Sequence, residues 1–156
     1  MSPFETPAEL RAAFDALLAS SHRALRLYDH DLHLYELDDA ARHAALRAFC
    51  VAGGGRSIAL LLDDASHVVR DHPRLMQLVR DFGHVLAIRQ ADPAAPRPDT
   101  AFVIGDRHGV LRRADKSAVH GDYHPDDPSR ATPLLQEFEA MWQRASVQVS
   151  ATTLGL

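Results

Sequence analysis

Residues 58–62, Ile-Ala-Leu-Leu-Leu, form an unbroken apolar run between Gly53-Gly54-Gly55 and Asp63-Asp64. A run so short, with polar punctuation at both ends, fits a central β-strand covered on both faces. Such a strand needs a layer of structure above it and another below. The remaining pattern must therefore supply helices on both sides of a sheet.

It does so in alternation. Thr6-Pro7-Ala8-Glu9 reads as a helix start, with Thr6 as cap, Pro7 in the first turn and Glu9 closing a capping box. Leu10, Phe14, Leu17 and Leu18 then follow at helical spacing over a helix of 7–20. Residues 24–28 alternate as a strand, and Asp29-His30-Asp31 turns the chain. Asp38 is placed to cap a helix of about 39–52, whose apolar face is Ala45, Leu46, Phe49 and Cys50. The three glycines that follow end that helix. A phosphate-cradling loop needs the opposite order, strand before glycines and helix after them. Pro73 opens a helix carrying Leu75, Leu78, Val79 and Phe82, and residues 85–88 form the next strand. Residues 91–99 are a Pro-rich surface loop, and residues 101–104 and 110–111 pair around a turn at 105–109. Residues 115–131 read as polar and irregular. Thr132-Pro133 starts a last helix bearing Leu134, Phe138, Met141, Trp142 and Ala145, and the tail from Val147 has no strong pattern. The expectation is one domain over 1–156, with its core at about 20–146 and a weakly ordered tail at 147–156. Its class is an α/β sandwich: a mixed, mostly parallel sheet, helices on both faces and a late β-hairpin.

Composition narrows the function classes. One cysteine, Cys50, excludes a disulfide framework and a multi-cysteine zinc site, and on its helix face it reads as a small buried hydrophobe. Seventeen basic residues against 21 acidic ones leave a net charge of −4, with no basic stripe along the chain. That argues against a nucleic-acid partner. No apolar run approaches a bilayer span, and Met1-Ser2-Pro3-Phe4-Glu5 lacks the regions of a signal peptide, so a cytoplasmic protein without membrane contact is expected. The alanine- and arginine-rich composition suits a GC-rich bacterium.

The element order resembles one half of the phospholipase D-like fold over roughly residues 20–146. The residues that carry the resemblance are Leu25-Arg26-Leu27-Tyr28-Asp29-His30-Asp31-Leu32 at the opening strand and Phe138-Glu139-Ala140-Met141-Trp142 on the closing helix. The family's motif is His-x-Lys, four further residues and Asp, on the late hairpin. The best register here sets Asp99 at the histidine, Ala101 at the lysine and Asp106 at the aspartate. The family's downstream Gly-Ser-x-Asn is not evident in residues 116–121. The resemblance thus implies the architecture with a degenerate motif, lacking both nucleophile and phosphate-binding cation. It also implies a homodimer, since two halves pack about a two-fold axis in the family. An acetyltransferase is a further possible protein partner, because such half-domains are sometimes attached to N-acetyltransferases.

Ten histidines supply the remaining candidates. His120, Asp122 and His124 lie in one loop, Asp29, His30 and Asp31 at a strand's carboxyl end, and His108 in the hairpin turn. Strand ends of that kind hold ligands in open α/β sheets, so these seven residues are the candidate ligand-binding set. Both clusters read first as polar turns, and no bound metal or cofactor is expected because the spacing fixes no third histidine ligand. Asp63-Asp64 reads as a cap for residues 65–70, and Arg112-Arg113 as solvated surface. The leading functional reading is a non-catalytic domain for binding, assembly or regulation. The alternatives are a divergent metal-assisted hydrolase or phosphodiesterase built on a His/Asp cluster, and an accessory module acting in trans with an acetyltransferase.

Overall fold

The computed structural model describes residues 1–145 and 147–150. Its elements in order are β1 (Ser2–Phe4), α1 (Pro7–Ser20), β2 (Ala24–Asp29), α2 (Ala40–Ala52), β3 (Ser57–Leu62), α3 (Ser66–Asp71), α4 (Pro73–Asp81), β4 (Leu86–Gln90), β5 (Ala101–Gly105), β6 (Gly109–Arg113), β7 (Gly121–His124), α5 (Pro128–Arg144) and β8 (Val147–Val149). The strands form an eight-stranded sheet in the order β1-β7-β6-β5-β2-β3-β4-β8. The α/β sandwich is the expected one, but the sheet is mostly antiparallel rather than mostly parallel, with five of its seven pairings antiparallel. The parallel portion is confined to β2, β3 and β4, and every other pairing is antiparallel. The late hairpin recruits β7 and β1 on one side and β8 closes the other, so the antiparallel share grows at both edges.

Alternation along the strands sorts the core. Leu25, Leu27, Ile58, Leu60, Leu62 and Val103 face α1 to α4. Tyr28, Ala59, Leu61, Phe102, Ile104 and Val110 face α5, the sole helical cover on that side among the described residues. The run at 58–62 is buried on both faces, as its composition requires. Helix α1 starts with the anticipated box: the Glu9 N–H donates to Thr6 Oγ1 at 3.1 Å, and the Thr6 hydroxyl donates to Glu9 at 3.0 Å.

Four local expectations change. Helix α2 is capped by Asp39, which accepts from the Arg42 N–H at 3.1 Å. Asp38 instead reaches the start of α4 and accepts from the N–H groups of Arg74 and Leu75 at 3.3 and 2.9 Å. Helix α5 starts at Pro128 behind an Asp127 cap, and Pro133 lies inside it. At the sixth helical position Pro133 removes one N–H near the end of the first turns, and the helix continues past it. Residues 121–124, expected to be irregular, form β7, and a Cβ at Gly121 would collide with the Arg112 carbonyl and the Phe4 ring. Residues 147–149 of the tail pair with β4, while residues 151–156 lie outside the described residues.

The elbow between α3 and α4 is held by His72, which is 5% exposed. Its Nδ1 has no partner among the described residues, and its ring lies 5.0 Å from that of His67. Burial lowers its pKa from the ordinary histidine value, reinforced by His67 and opposed by Asp38 and Asp71. A depressed histidine keeps its proton in the unfolded chain but not in the fold. Stability is therefore full above pH 6.5 and falls as the pH drops below it, with a slope of at most about 1.4 kcal/mol per pH unit. Urea titrations between pH 7.5 and 5 are expected to show this slope in the wild type and a flatter one in His72→Gln. Equal slopes would assign the acid sensitivity elsewhere.

Candidate functional site

Strands β2 and β3 run parallel and end side by side, so Tyr28, Asp29, His30 and Asp63 emerge at one end of the sheet. The ladder continues briefly past both strands: the Asp63 N–H donates to the Asp29 carbonyl at 3.2 Å, and that of Asp64 to the His30 carbonyl at 2.9 Å. Two loops fold over this end. The Pro-rich loop brings Arg97, and the segment after β6 brings Lys116, whose N–H donates to the Asp99 carbonyl at 2.7 Å.

The Asp63 side chain, 5% exposed, is the hub. It accepts from the Tyr28 hydroxyl at 2.8 Å and pairs with Lys116 Nζ at 2.6 Å and Arg97 Nη1 at 3.5 Å. Lys116 Nζ also donates to the Tyr28 oxygen at 2.7 Å, closing a triangle. Burial, then the neighbouring Asp63 carboxylate, raises the Tyr28 pKa, so this phenol stays protonated. His30, more than half exposed, presents Nδ1 at 3.4 Å from the same carboxylate. Beneath the triangle, Asp29 pairs with Arg113, and both side chains are almost completely buried. The Leu32 N–H adds a bond to Asp29 at 2.9 Å, and Arg113 Nη1 donates to the Ala118 carbonyl at 2.8 Å. Burial pushes the Asp29 carboxyl up, while Arg113 and the N–H groups of Leu32 and His30 pull it down.

Chemically, this end is a set of satisfied ion pairs. Asp63 takes both Lys116 and Arg97, and Asp29 takes Arg113. Among the described residues, no three of His, Cys, Asp and Glu are placed to hold a metal ion.

The residues singled out in the sequence are divided among three places. Asp29, His30 and Asp31 share the carboxyl end of β2, where Asp31 binds the His33 ring at 2.6 Å. Asp99 and the buried Ala101 lie at that same end, with Ala101 directly opposite Arg113 in the register. Asp106 is at the other end of β5. There it accepts from the N–H groups of His22, Arg23 and Ala24 at 2.7–3.1 Å, with φ 54°. Partial burial opposes its ionisation, yet those three donors and His108 hold its pKa below the usual carboxylate value. His108 stands 3.9 Å from Asp106, and His124 3.9 Å from Asp127. His120 and Asp122 line a separate hollow of about 500 Å³ at the β7–β1 edge, with Arg112 and Glu5.

Arg113 corrects the solvated-surface reading of Arg112-Arg113. Alternation turns Arg113 to the α1 side, where Asp29 meets it, and it is 0% exposed. Ala65, not an aspartate, holds the N-cap position of α3; Asp64 accepts from the Ser66 N–H at 2.9 Å in the turn before it, and Asp63 turns inward. Lys116 and Arg97 escaped the sequence reading because their loops approach β2 only in the folded chain.

Comparison of folds places the arrangement among known structures. TrmBL2, an archaeal chromatin protein described as showing a novel mode of DNA binding, superposes with TM-score 0.66 at 14% identity over 92% of this chain. The chain spans about half of TrmBL2, 52% of its length. NucT from Helicobacter pylori superposes with TM-score 0.55 at 15% identity, over 94% of this chain and 97% of NucT. At such identities the likeness is one of fold alone. It also overturns the exclusion of nucleic acid drawn from the missing basic stripe, because TrmBL2 is a DNA-binding protein of similar fold. A linear stripe is not the criterion when strand ends and turns distant in sequence share one surface. Among the described residues no helix is long and apolar enough to cross a membrane. No curated protein matches the chain in sequence. The family model of a domain of unknown function, DUF7931, matches residues 6–154, and the chain belongs to that family.

Proposed function

We propose that this chain is a phospholipase D-like domain that binds nucleic acid without hydrolysing it. The carrying observation is the closed network at the carboxyl ends of β2 and β3. Lys116 and Arg97 are directed onto Asp63, Arg113 onto Asp29, and the motif positions hold Asp99 and Ala101. Hydrolysis of a phosphodiester needs a free nucleophile and cations aimed at the phosphoryl oxygens. Here the cations already have carboxylate partners, and Asp99 would repel a phosphate. The fold shared with TrmBL2 supports nucleic acid as the ligand. In this reading residues 1–156 act as one binding domain in the cytoplasm of a bacterium.

A second reading is favoured by one contact, the 3.4 Å approach of His30 to Asp63. A carboxylate behind an exposed imidazole can orient it as a base or nucleophile. A single assay separates the two. Purified protein is incubated with bis(p-nitrophenyl) phosphate and with plasmid DNA, with and without Mg²⁺, Mn²⁺ or Zn²⁺. Background rates throughout are expected, together with retention of labelled DNA in a parallel binding assay. Turnover that disappears in His30→Ala would replace the binding reading with the hydrolytic one.

A further inference from the structure

The opposite end of the sheet carries a different charge pattern. At the carboxyl ends the cations are consumed by Asp63 and Asp29. At the amino ends of β2 and β3 and in the β5–β6 turn, Arg23, Arg26 and Arg107 have no carboxylate within 4 Å among the described residues. Asp106, next to Arg107 in the chain, is occupied by three backbone N–H groups.

Arg26 is the most telling of the three. It rises from the α5 side of β2 and is half-buried. Its guanidinium is fixed by bonds to the Leu25 carbonyl at 3.1 Å, the Ser57 carbonyl at 3.3 Å and Ser57 Oγ at 2.9 Å. All three acceptors are neutral, so a half-buried cation is held in one geometry with no carboxylate within 4 Å among the described residues. Burial lowers its pKa, and only Glu139, facing it from α5, works the other way. A held, unpaired guanidinium is costly unless an anion completes it.

The space for that anion is present. Arg26 and Arg107, with Asp106, Leu135, Phe138 and Glu139, line a groove of about 500 Å³ between α5 and the sheet. Past Arg26 and Glu139 it meets a second hollow of about 230 Å³, floored by Ala59 and Ala87 and edged by His84. The alanines keep the floor low, and α5 is the single helix on this face among the described residues.

We propose that a DNA backbone lies in this groove, with Arg26 and Arg107 on its phosphates. The proposal rests on the nucleic-acid-binding reading above and assigns its surface. An extended, repeating anion fits two adjoining hollows that share Arg26, with Arg107 in the first of them, and phosphate contacts of this kind are independent of sequence. Glu139 and Asp106 are the opposing charges that limit affinity, and the backbone N–H groups of His22, Arg23 and Ala24 offset that of Asp106.

Fluorescence anisotropy with a labelled 20-bp duplex, between 50 and 200 mM salt, tests this. Arg107→Ala is expected to weaken binding about tenfold at low salt and to reduce the salt dependence by about one charge. Arg26→Ala combined with Arg107→Ala should remove about two. Glu139→Gln should tighten binding severalfold, a change that no loss of folding produces. Arg74→Ala, exposed on α4 away from the groove, should bind as the wild type does. Wild-type binding that is unaffected by the Arg26, Arg107 and Glu139 changes overturns the groove and leaves the nucleic-acid reading standing. Absence of wild-type binding at 50 mM salt overturns both. Arg107 sits in an exposed turn, so its variant reports on binding even if the Arg26 variant folds poorly.

Discussion

Replacing Arg113 by methionine is expected to lower stability by about 3–5 kcal/mol, because it strands the Asp29 carboxylate in a site with almost no solvent. The loss is larger than the pair's own worth. An intact buried pair roughly balances its desolvation cost, whereas half of one does not. Two signatures distinguish this mechanism from lost packing. Asp29→Leu added to Arg113→Met should recover most of the deficit, since both charges are then gone. The deficit of the single variant should also shrink with acid. Without its partner, Asp29 titrates above its unfolded value, so the fold binds the extra proton, and stability rises as pH falls toward the ordinary carboxylate range. Urea titrations at pH 7 and pH 4.5 read both. A deficit unchanged by pH and by the second substitution would reduce Arg113 to a packing residue.

Phe138→Ala is expected to cost about as much, roughly 3–5 kcal/mol by the usual range for a buried aromatic. Phe138 is 1% exposed, meets Phe102 edge-on at 6.5 Å and stacks on Trp142 at 5.6 Å. Among the described residues no second helix lies on its face to slide in and fill the void. Trp142 has a lesser role than its size implies. It is half-buried, between Phe138 and the Arg89 guanidinium, whose Cζ lies 4.4 Å from its ring centre. Trp142→Ala should therefore cost clearly less than Phe138→Ala in the same denaturant titration. The reverse ranking would mean that the indole, not the phenyl ring, anchors α5.

What the chain discloses before folding is mainly what neighbours in sequence decide. The Thr6–Glu9 box was legible because its partners are three residues apart, and the 58–62 run because composition alone implies burial. The start of α5 was misplaced because two prolines compete, and Asp127 before Pro128 is the better cap. Strand β7 was invisible because Tyr123 is its one large apolar residue, leaving no alternation to detect. Asp29 and His30 were recognisable from their position after a strand. Lys116 was not, since its meaning depends on Tyr28, 88 residues away. Arg26 was hidden for a related reason: it sits at a position in β2 that reads as ordinary polar alternation, and its missing counter-ion is a property of the surface.

The clasp of Asp106 on residues 22–24 has a consequence for the order of events in folding. Strand β2 pairs with β3, about 30 residues later, and with β5, about 80 residues later. The first pairing closes a short loop through α2 and is available as soon as residue 62 has been made. The second must wait for the hairpin, and closing its longer loop carries the greater entropic cost. Until then the N–H groups of His22, Arg23 and Ala24 have no Asp106 to receive them, and one side of the central strand stays open. Pulse-labelled hydrogen exchange should protect β3 amides before those of residues 22–24. The interval between the two is the period in which an unfinished chain is most exposed to pairing with another.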